Sequence, residues 1–501
     1  LELPRAHLPE IPFLLAVGET RRRPLASSHF VPSPVRVEDE GAYLPSIMNV
    51  TALKNGLQKY REPIKSVPEK ELQFALEFIS SRMAPFWGGN LEDNVTSYDD
   101  AVASLDFSKS PGYPWYFKYE TKGEALYCIG DVIKALCLLV LQGIWVLMVF
   151  AMTLKDELRP RDRVLASKTR VFNGCDLVHL IVSKMMFQRQ NDKLMNSIGR
   201  GHPSTIGIGV PGPHFVSTVL SLGQKVNDGD GDGCDARFNL SIARAIRDLR
   251  SQYLPSRYWQ CVYILYNAVY AGVTCVLGVI YYLLHQKSGW ENTGTDNVFQ
   301  YWFAFVLVWR HLAPDMEFDE FIKLFLNGDD IIASTSEEYS FKQICDEMKF
   351  RYNVCIEADD WLPRPPTQIV FLSHHLRLRW TREYGDFIVA AGNYAKLRSS
   401  INWVRKETSR SMEENTLMHL LGIRICIWPW EHEFEELEEK IDAYLTSITR
   451  TRNIEGILRA RITSQHIAHL HLRCEGSIFD PSMPYQVLKG FFPPDKVCAQ
   501  L

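Results

Sequence analysis

The sequence contains no CxxC pair and no Cys/His spacing suited to a structural metal, although eleven cysteines are scattered through its 501 residues. That pattern argues against a disulfide scaffold and against structural zinc, and for free thiols in a reducing compartment. A surplus of positive charge is also missing: 55 Lys and Arg stand against 59 Asp and Glu, a formal net charge of −4. Nucleic-acid binding through a global field is thereby excluded, and any such contact must come from a local basic channel. No secretory signal peptide is visible, and Leu1 in place of a start methionine reads as a cleaved or trimmed chain.

One apolar stretch is long enough to test against a bilayer. Val132–Leu154 approaches the roughly 20 apolar residues that a membrane span requires. Lys134 near one end and Gln142-Gly143 in the middle interrupt it, however, and Ile144–Leu154 is rich in β-branched and aromatic side chains. The stretch is read as a buried helix, a break and a buried strand, with a membrane-surface role as the lesser alternative. What is present is an ordinary packed composition, 46% hydrophobic and 12% aromatic. The length exceeds a single core, so two or three subdomains are expected.

The chain is organised around Phe325-Leu326-Asn327-Gly328-Asp329-Asp330-Ile331-Ile332-Ala333. Mostly apolar runs flank a turn signal, which predicts a hairpin of buried strands with Asn-Gly-Asp-Asp at its tip. Two adjacent buried carboxylates repel, and such a site is tolerable only with a cation or a proton between them. This gives a Mg²⁺ site; a solvated Asn-Gly-Asp turn is the plainer alternative.

Further candidates follow in chain order. Residues 1–45, with Arg21-Arg22-Arg23-Pro24, Pro32 and Pro34, read as an extended segment wrapping over another part of the protein. Glu69–Met83 has helical periodicity, with Leu72, Ala75, Leu76 and Ile79 on one face. Ser108-Lys109-Ser110-Pro111-Gly112-Tyr113-Pro114-Trp115 is a rigid loop suited to a nucleic-acid strand, or a plain turn. Six cations fall between Lys155 and Arg170, after an apolar strand. They form either a fork for a triphosphate or a solvated hairpin.

The run Asp228-Gly229-Asp230-Gly231-Asp232-Gly233 invites a calcium loop, but position twelve is Asn239 where an acid is needed. It reads instead as a strand end presenting Asp230, with Asp235 where a helix begins. Val276–Leu284 reads as a strand, and a Ser288-Gly289 turn then leads into a helix whose start is crowded with polar side chains. Beyond the hairpin, Tyr339–Phe350 reads as a helix and Tyr352–Glu357 as a strand. Phe371–Leu376 opens another hairpin, and from Asn393 the pattern is helical, with Glu433–Ile448 amphipathic and acidic. His374 and His375 have no ligand partner in sequence and are read as phosphate or backbone contacts at most.

The order of these pieces resembles the RNA-dependent RNA polymerases of positive-strand RNA viruses, in the picornavirus-like supergroup. Ser110–Pro114 is similar to that family's motif G, and Lys155–Arg159 with Lys168–Arg170 to motif F. Asp230 and Asp235, with Gly233 between them, match motif A. Ser288, Gly289, Thr293 and Asn297 match motif B, and Gly328-Asp329-Asp330 matches motif C. Together they cover roughly residues 105–380 in the family's order.

The resemblance implies an α+β right-hand fold, with an antiparallel palm sheet flanked by helices. It places fingers at 1–222, palm at 223–254, a fingers insertion at 255–283, palm at 284–378 and a helical thumb at 379–501. It further implies two Mg²⁺ ions, with Mn²⁺ as a substitute, on Asp230, Asp329 and Asp330. Arg159, Arg163, Lys168 and Arg170 would then meet the triphosphate, and Asp235, Ser288, Thr293 and Asn297 the ribose. Ser110, Gly112, Tyr113, Lys155 and Gly289 would contact RNA. The implied partners are an RNA template, a primer or product strand, NTPs and other viral replication proteins. The implied location is host cytoplasm, in replication complexes whose membrane association is indirect.

Two departures stand out. The motif D loop Glu357–Arg364 has no lysine to act as general acid; Arg364 is too basic, and Lys349 is the remaining candidate. Phe371-Leu372-Ser373-His374 keeps the apolar half of motif E without its two cations, implying a weaker hold on the primer backbone. The competing readings are a reverse transcriptase, which generally has a bulky aromatic where Asp235 stands, and a non-catalytic RNA- or Ca²⁺-binding scaffold.

Overall fold

Along the chain, β1 (Val149–Leu154), β2 (Val171–Gly174), β3 (Asn227–Gly231), β4 (Val273–Val276), β5 (Val279–Tyr282), β6 (Ile322–Asn327), β7 (Asp330–Thr335) and β8 (Ile356–Glu357) form two four-stranded sheets. These belong to a computed structural model that describes residues 28–30, 37, 41–61, 65–210, 212–381, 385–405, 411–448, 463, 464, 467, 468 and 471. The arginine-proline run at 21–24, Pro32, Pro34 and most of the chain beyond 448 lie outside these residues.

The central sheet has the order β8-β3-β7-β6 and is antiparallel throughout. Its hairpin is apolar on both faces because alternate side chains enter different cores. Leu324, Leu326, Ile331 and Ala333 join the main core, while Ile332 packs with Phe215, Val219, Ile369 and Phe371 on the other side, with Phe325 against them. The main core is helical: α1 (Glu69–Trp87), α2 (Lys122–Leu141), α3 (Leu177–Met195), α4 (Leu240–Gln252), α5 (Thr293–Leu312) and α6 (Phe341–Tyr352). Helix α5 is buried continuously from Thr295 to Trp309, as an element that is apolar nearly all round must be. Helix and antiparallel sheet are thus segregated, and the chain is α+β.

The second sheet, in the order β2-β1-β4-β5, contains a parallel pair, β1 with β4. The apolar stretch 132–154 resolves into the end of α2, a turn at Gln142-Gly143, and β1 after residue 148. Val132, Leu138, Leu139, Ile144, Trp145 and Leu147 stay exposed. No helix among the described residues is long and apolar enough to cross a membrane.

Two expectations are corrected. The strand read at Val276–Leu284 is the second half of a hairpin, turned at Leu277 and Gly278, both left-handed at φ 50° and 80°. The strand read at Tyr352–Glu357 is only two residues long. Helix α6 runs through Tyr352 and ends on a left-handed Asn353. The helix predicted at Glu69–Met83 runs on to Trp87.

Described parts of the N-terminal segment are extended and paired. Ser28–Phe30 aligns with Trp403–Arg405, and Tyr43–Pro45 with Leu158–Pro160. Toward the C-terminus, the hairpin His374–Thr381/Gly385–Gly392 leads to helices Tyr394–Ile401, Met412–Ile427 and Glu431–Ile448. These build a separate core around Leu417, Leu420, Leu437 and Ile441.

Candidate active site

The register of the central sheet puts Asp330 directly opposite Asp230, and Glu357 opposite Asp230 on its other side. The Gly231 amide donates to the Asp329 carbonyl at 2.9 Å, tying the turn to the end of β3. No side chain larger than hydrogen fits at Gly231: a Cβ there would lie 1.9 Å from the Tyr301 hydroxyl of α5.

The other acids of the run are already spoken for. Asp228 pairs with Arg364 and accepts from the Val370 amide at 2.8 Å, and Asp232 pairs with Arg237. Asn239 is a helix cap, accepting from the Ser241 and Ile242 amides. Asp230 alone of this run faces the Asp329-Asp330 turn.

Burial, then repulsion from Asp329, pushes the Asp230 carboxyl up to about 6; Glu357 adds a smaller push. Burial followed by Asp230 and Asp329 raises Asp330 to about 7. Arg170 opposes the shift at both, and at Asp235 as well, so one guanidinium acts on these three carboxylates. No three His, Cys, Asp or Glu side chains among the described residues converge closely enough, as they stand, to hold a metal ion. The donor chemistry nevertheless suits one: hard carboxylate oxygens, mutually repelled and short of cations, are what Mg²⁺ and Mn²⁺ take.

Arg170 belongs to a cluster gathered by one carboxylate. Glu157 lies 3.1 Å from Lys155, 3.6 Å from Arg159 and 3.8 Å from Arg170. Ser46 holds the loop from the other side, donating to the Glu157 carbonyl through its amide at 3.0 Å and its hydroxyl at 2.8 Å. Arg163 faces Asp162 at 3.8 Å, and Lys168 is exposed; neither is part of the Glu157 cluster.

The loop around Ser288 is pressed against β2. A Cβ on Gly289 would sit 1.6 Å from the Asn173 carbonyl oxygen, so only glycine allows this approach. Trp290 is enclosed by His179, Phe187, Tyr266 and Tyr270. The Thr293 hydroxyl is spent on the Trp290 carbonyl at 3.1 Å. Asn297 is buried, and its Oδ1 has no partner among the described residues. Asp235 is raised by burial, and Lys59, Ser288 and Arg170 each favour its ionised form.

Beneath Asn297 lies an ion pair that the sequence did not announce. Arg250 and Asp296 are 2.9 Å apart with both side chains 0% exposed. Gln190 and Asn191 accept from the guanidinium at 3.2 Å each, Thr295 accepts at 2.8 Å, and Tyr270 donates to Asp296 at 3.2 Å. The rings of Trp87, Phe187 and Phe299 complete the enclosure.

In the 108–115 loop, the Gly112 amide donates to the Ser110 hydroxyl at 3.3 Å, while the Tyr113 ring is drawn into the second sheet beside Val149 and Val273. The aromatic read as support for a nucleic-acid strand is thus an anchor for the loop. Lys349 is exposed in the last turn of α6, and Arg364 is committed to Asp228. His374 meets the Leu372 carbonyl at 2.7 Å.

A family model described as viral RNA-dependent RNA polymerase matches residues 31–449. The chain is 25% identical over 323 residues to the genome polyprotein of Soybean mosaic virus (strain G2), covering 60% of this chain and 10% of that polyprotein. It is 24% identical over 306 residues to genome polyprotein 1 of Barley yellow mosaic virus (isolate Germany), covering 58% and 12%. With the genome polyprotein of Lettuce mosaic virus (strain E) the identity is 30% over 200 residues, covering 37% and 6%. The chain therefore spans only a small part of the length of each of these relatives. A match across most of the chain, over a sheet that sets Asp230 against Asp330 under Arg170, places it in one family: this chain is a member of the viral RNA-dependent RNA polymerases.

Proposed function

We propose that the chain carries out template-directed RNA synthesis, joining NTPs to an RNA 3′-hydroxyl with release of pyrophosphate in the replication of a viral genome. The observation that carries this is the cross-strand pair Asp230–Asp330, with Asp329 at the turn and Arg170 as the cation acting on both members of the pair. In this reading the central sheet and α4–α5 are the palm (223–254 and 284–378). The second sheet and the basic loop belong to the fingers (1–222 and 255–283), and the C-terminal helices form the thumb (379–501).

Asp230 and Asp329 would hold two Mg²⁺ ions, or Mn²⁺ in their place, with Asp330 assisting. Bound there, the ions would lower the pKa of the attacking hydroxyl and neutralise charge on the leaving phosphates. The chain's own residues do the positioning. Arg159 and Arg170, spread by Glu157, receive the triphosphate, with Arg163 and Lys168 at its entry. Asp235 presents an acceptor to the ribose 2′-hydroxyl and Asn297 an amide donor to its oxygen, Ser288 supports Asp235, and Thr293 fixes the start of α5. A site built to pair a hydroxyl rejects the analogue lacking it by roughly 10⁴ in favourable cases, which selects NTPs over dNTPs. Ser110, Gly112, Lys155 and Gly289 would line the RNA path, with Tyr113 holding the loop in place. Other viral replication proteins, in membrane-associated complexes of the host cytoplasm, are the partners this reading implies.

Asp235 favours this over a reverse transcriptase, since a carboxylate there welcomes the hydroxyl that a bulky aromatic would exclude. The test is primer extension on a homopolymer template, wild type beside Asp329→Ala, with NTPs and dNTPs in parallel. Incorporation of NTPs by the wild type alone is expected. Incorporation of dNTPs by the wild type would transfer the assignment to reverse transcription.

A further inference from the structure

The wall behind Asp235 comes from a part of the chain that carries no polymerase motif. The turn Gln58–Arg61 packs on the short helix Cys234–Arg237 that bears Asp235. Tyr60 lies on His285 with ring centroids 4.2 Å apart, and the Lys59 ammonium stands 5.0 Å from the centre of the Tyr60 ring. The Gln286 amide, next to His285, donates to the Asp235 carbonyl at 3.0 Å. Lys59, Tyr60, His285 and Asp235 thus occupy one junction, drawn from three distant stretches of sequence.

Two features show that this junction is not simply core. The Tyr60 hydroxyl and both ring nitrogens of His285, on which it stacks, are buried without a partner among the described residues. Buried polar atoms are ordinarily paired with protein or water, so a group of them at one place marks where water or a ligand hydroxyl is received. Their surroundings are otherwise apolar, with Leu57, Met152, Val171, Val276 and Leu283 packed around Tyr60. The other feature is charge. After burial, Lys59 has the largest influence on Asp235, ahead of Asp329, Ser288 and Arg170, and it acts to keep the carboxylate ionised.

From this geometry we infer that Lys59, with the Tyr60–His285 stack behind it, is a specificity-determining second layer of the ribose pocket. It holds Asp235 as a charged, oriented acceptor for the 2′-hydroxyl. An ionised acceptor bonds a hydroxyl more strongly than a neutral one, and the gain exists only when that hydroxyl is present. Lys59 therefore acts on NTPs and not on dNTPs. It is a positioning residue, acting through Asp235. The inference rests on the ribose reading of Asp235 given above.

The test is single-nucleotide extension by the full chain, with kcat and KM measured for NTP and dNTP. Lys59→Gln is expected to lower the NTP/dNTP ratio of kcat/KM about tenfold, through the NTP term alone. Lys59→Arg should restore most of it, because the charge returns. Tyr60→Phe removes only the unpaired hydroxyl and keeps the packing, and is expected to lower the ratio about threefold. An unchanged ratio in Lys59→Gln, or an equal fall for both nucleotides, would overturn the inference and leave Lys59 as scaffold. A wild type with no preference for NTPs would instead overturn the ribose reading of Asp235, a failure seen before any variant is made.

Discussion

Two clusters of charge lie within reach of the same helix, and they are built on opposite plans. Arg250 and Asp296 are fully enclosed, matched in sign, and supplied with partners from Gln190, Asn191, Thr295 and Tyr270. Asp230, Asp329 and Asp330 share one sign and open toward the basic loop. The cation nearest to them in effect, Arg170, is itself drawn to Glu157. A satisfied cluster has nothing left to offer a ligand. An unsatisfied one raises the energy of the empty site and lowers it when cations arrive. The closed pair therefore fixes the start of α5, and the open trio is where chemistry is expected.

The sharpest way to break this comparison is to remove a charge from each cluster. Asp329→Ala is expected to cut nucleotide incorporation by about 10³ or more while leaving thermal stability unchanged or slightly raised, since a repulsion is removed. Primer extension beside a melting curve checks both. Arg250→Met should do the reverse, costing about 3–5 kcal/mol of stability by leaving Asp296 buried and unpaired. Urea unfolding reads this loss. The double change Arg250→Met with Asp296→Leu should recover most of it, because two apolar groups leave no orphaned charge.

A smaller effect is expected where the clusters meet. Asn297 follows Asp296 on α5 and carries an unspent acceptor. Asn297→Ala should lower the NTP preference about tenfold and leave dNTP turnover nearly intact, as read from paired kcat/KM values.

The smallest effect is electrostatic. Asp230 near 6 and Asp330 near 7 lie above the ordinary aspartate value of 3.8, so the folded state holds their protons more tightly than the unfolded chain. Their contribution to stability is present at low pH and is lost as pH rises through about 4 to 7. Divalent cations replace the lost protons, so added Mg²⁺ should raise the melting temperature by a few °C at pH 8, on the order expected for a weakly held ligand. At pH 5.5 it should raise it less. Asp330→Asn should reduce the difference.

What could be read in the sequence follows from how local each signal is. The β6–β7 hairpin was legible because apolar residues flank an Asn-Gly-Asp turn on both sides. The β4–β5 hairpin was not, because Leu277 adopts a left-handed backbone that leucine seldom signals. The polar crowd before α5 was visible, but the partner of Asp296 was not, since Arg250 lies on another helix with no motif around it. Lys59 and Tyr60 gave no signal at all; their meaning comes from the turn that sets them against Asp235. Tyr113 gave an ambiguous signal, because an aromatic in a rigid loop looks the same in sequence whether it faces a ligand or a sheet.

The position of β3 has a consequence for how the chain is made. It is an inner strand of the central sheet, yet its partners β7 and β8 come about a hundred residues later in the chain. During synthesis from the N-terminus it must wait with both edges open, the condition in which strands recruit neighbouring chains. Its sequence is Asn-Asp-Gly-Asp-Gly, with no β-branched or aromatic residue and two negative charges. Such a segment is a poor template for a stranger, and it becomes a strand only when β7 and β8 arrive to hold it. Asp230, proposed to seat a cation in the finished protein, would thus also help keep the nascent chain from aggregating.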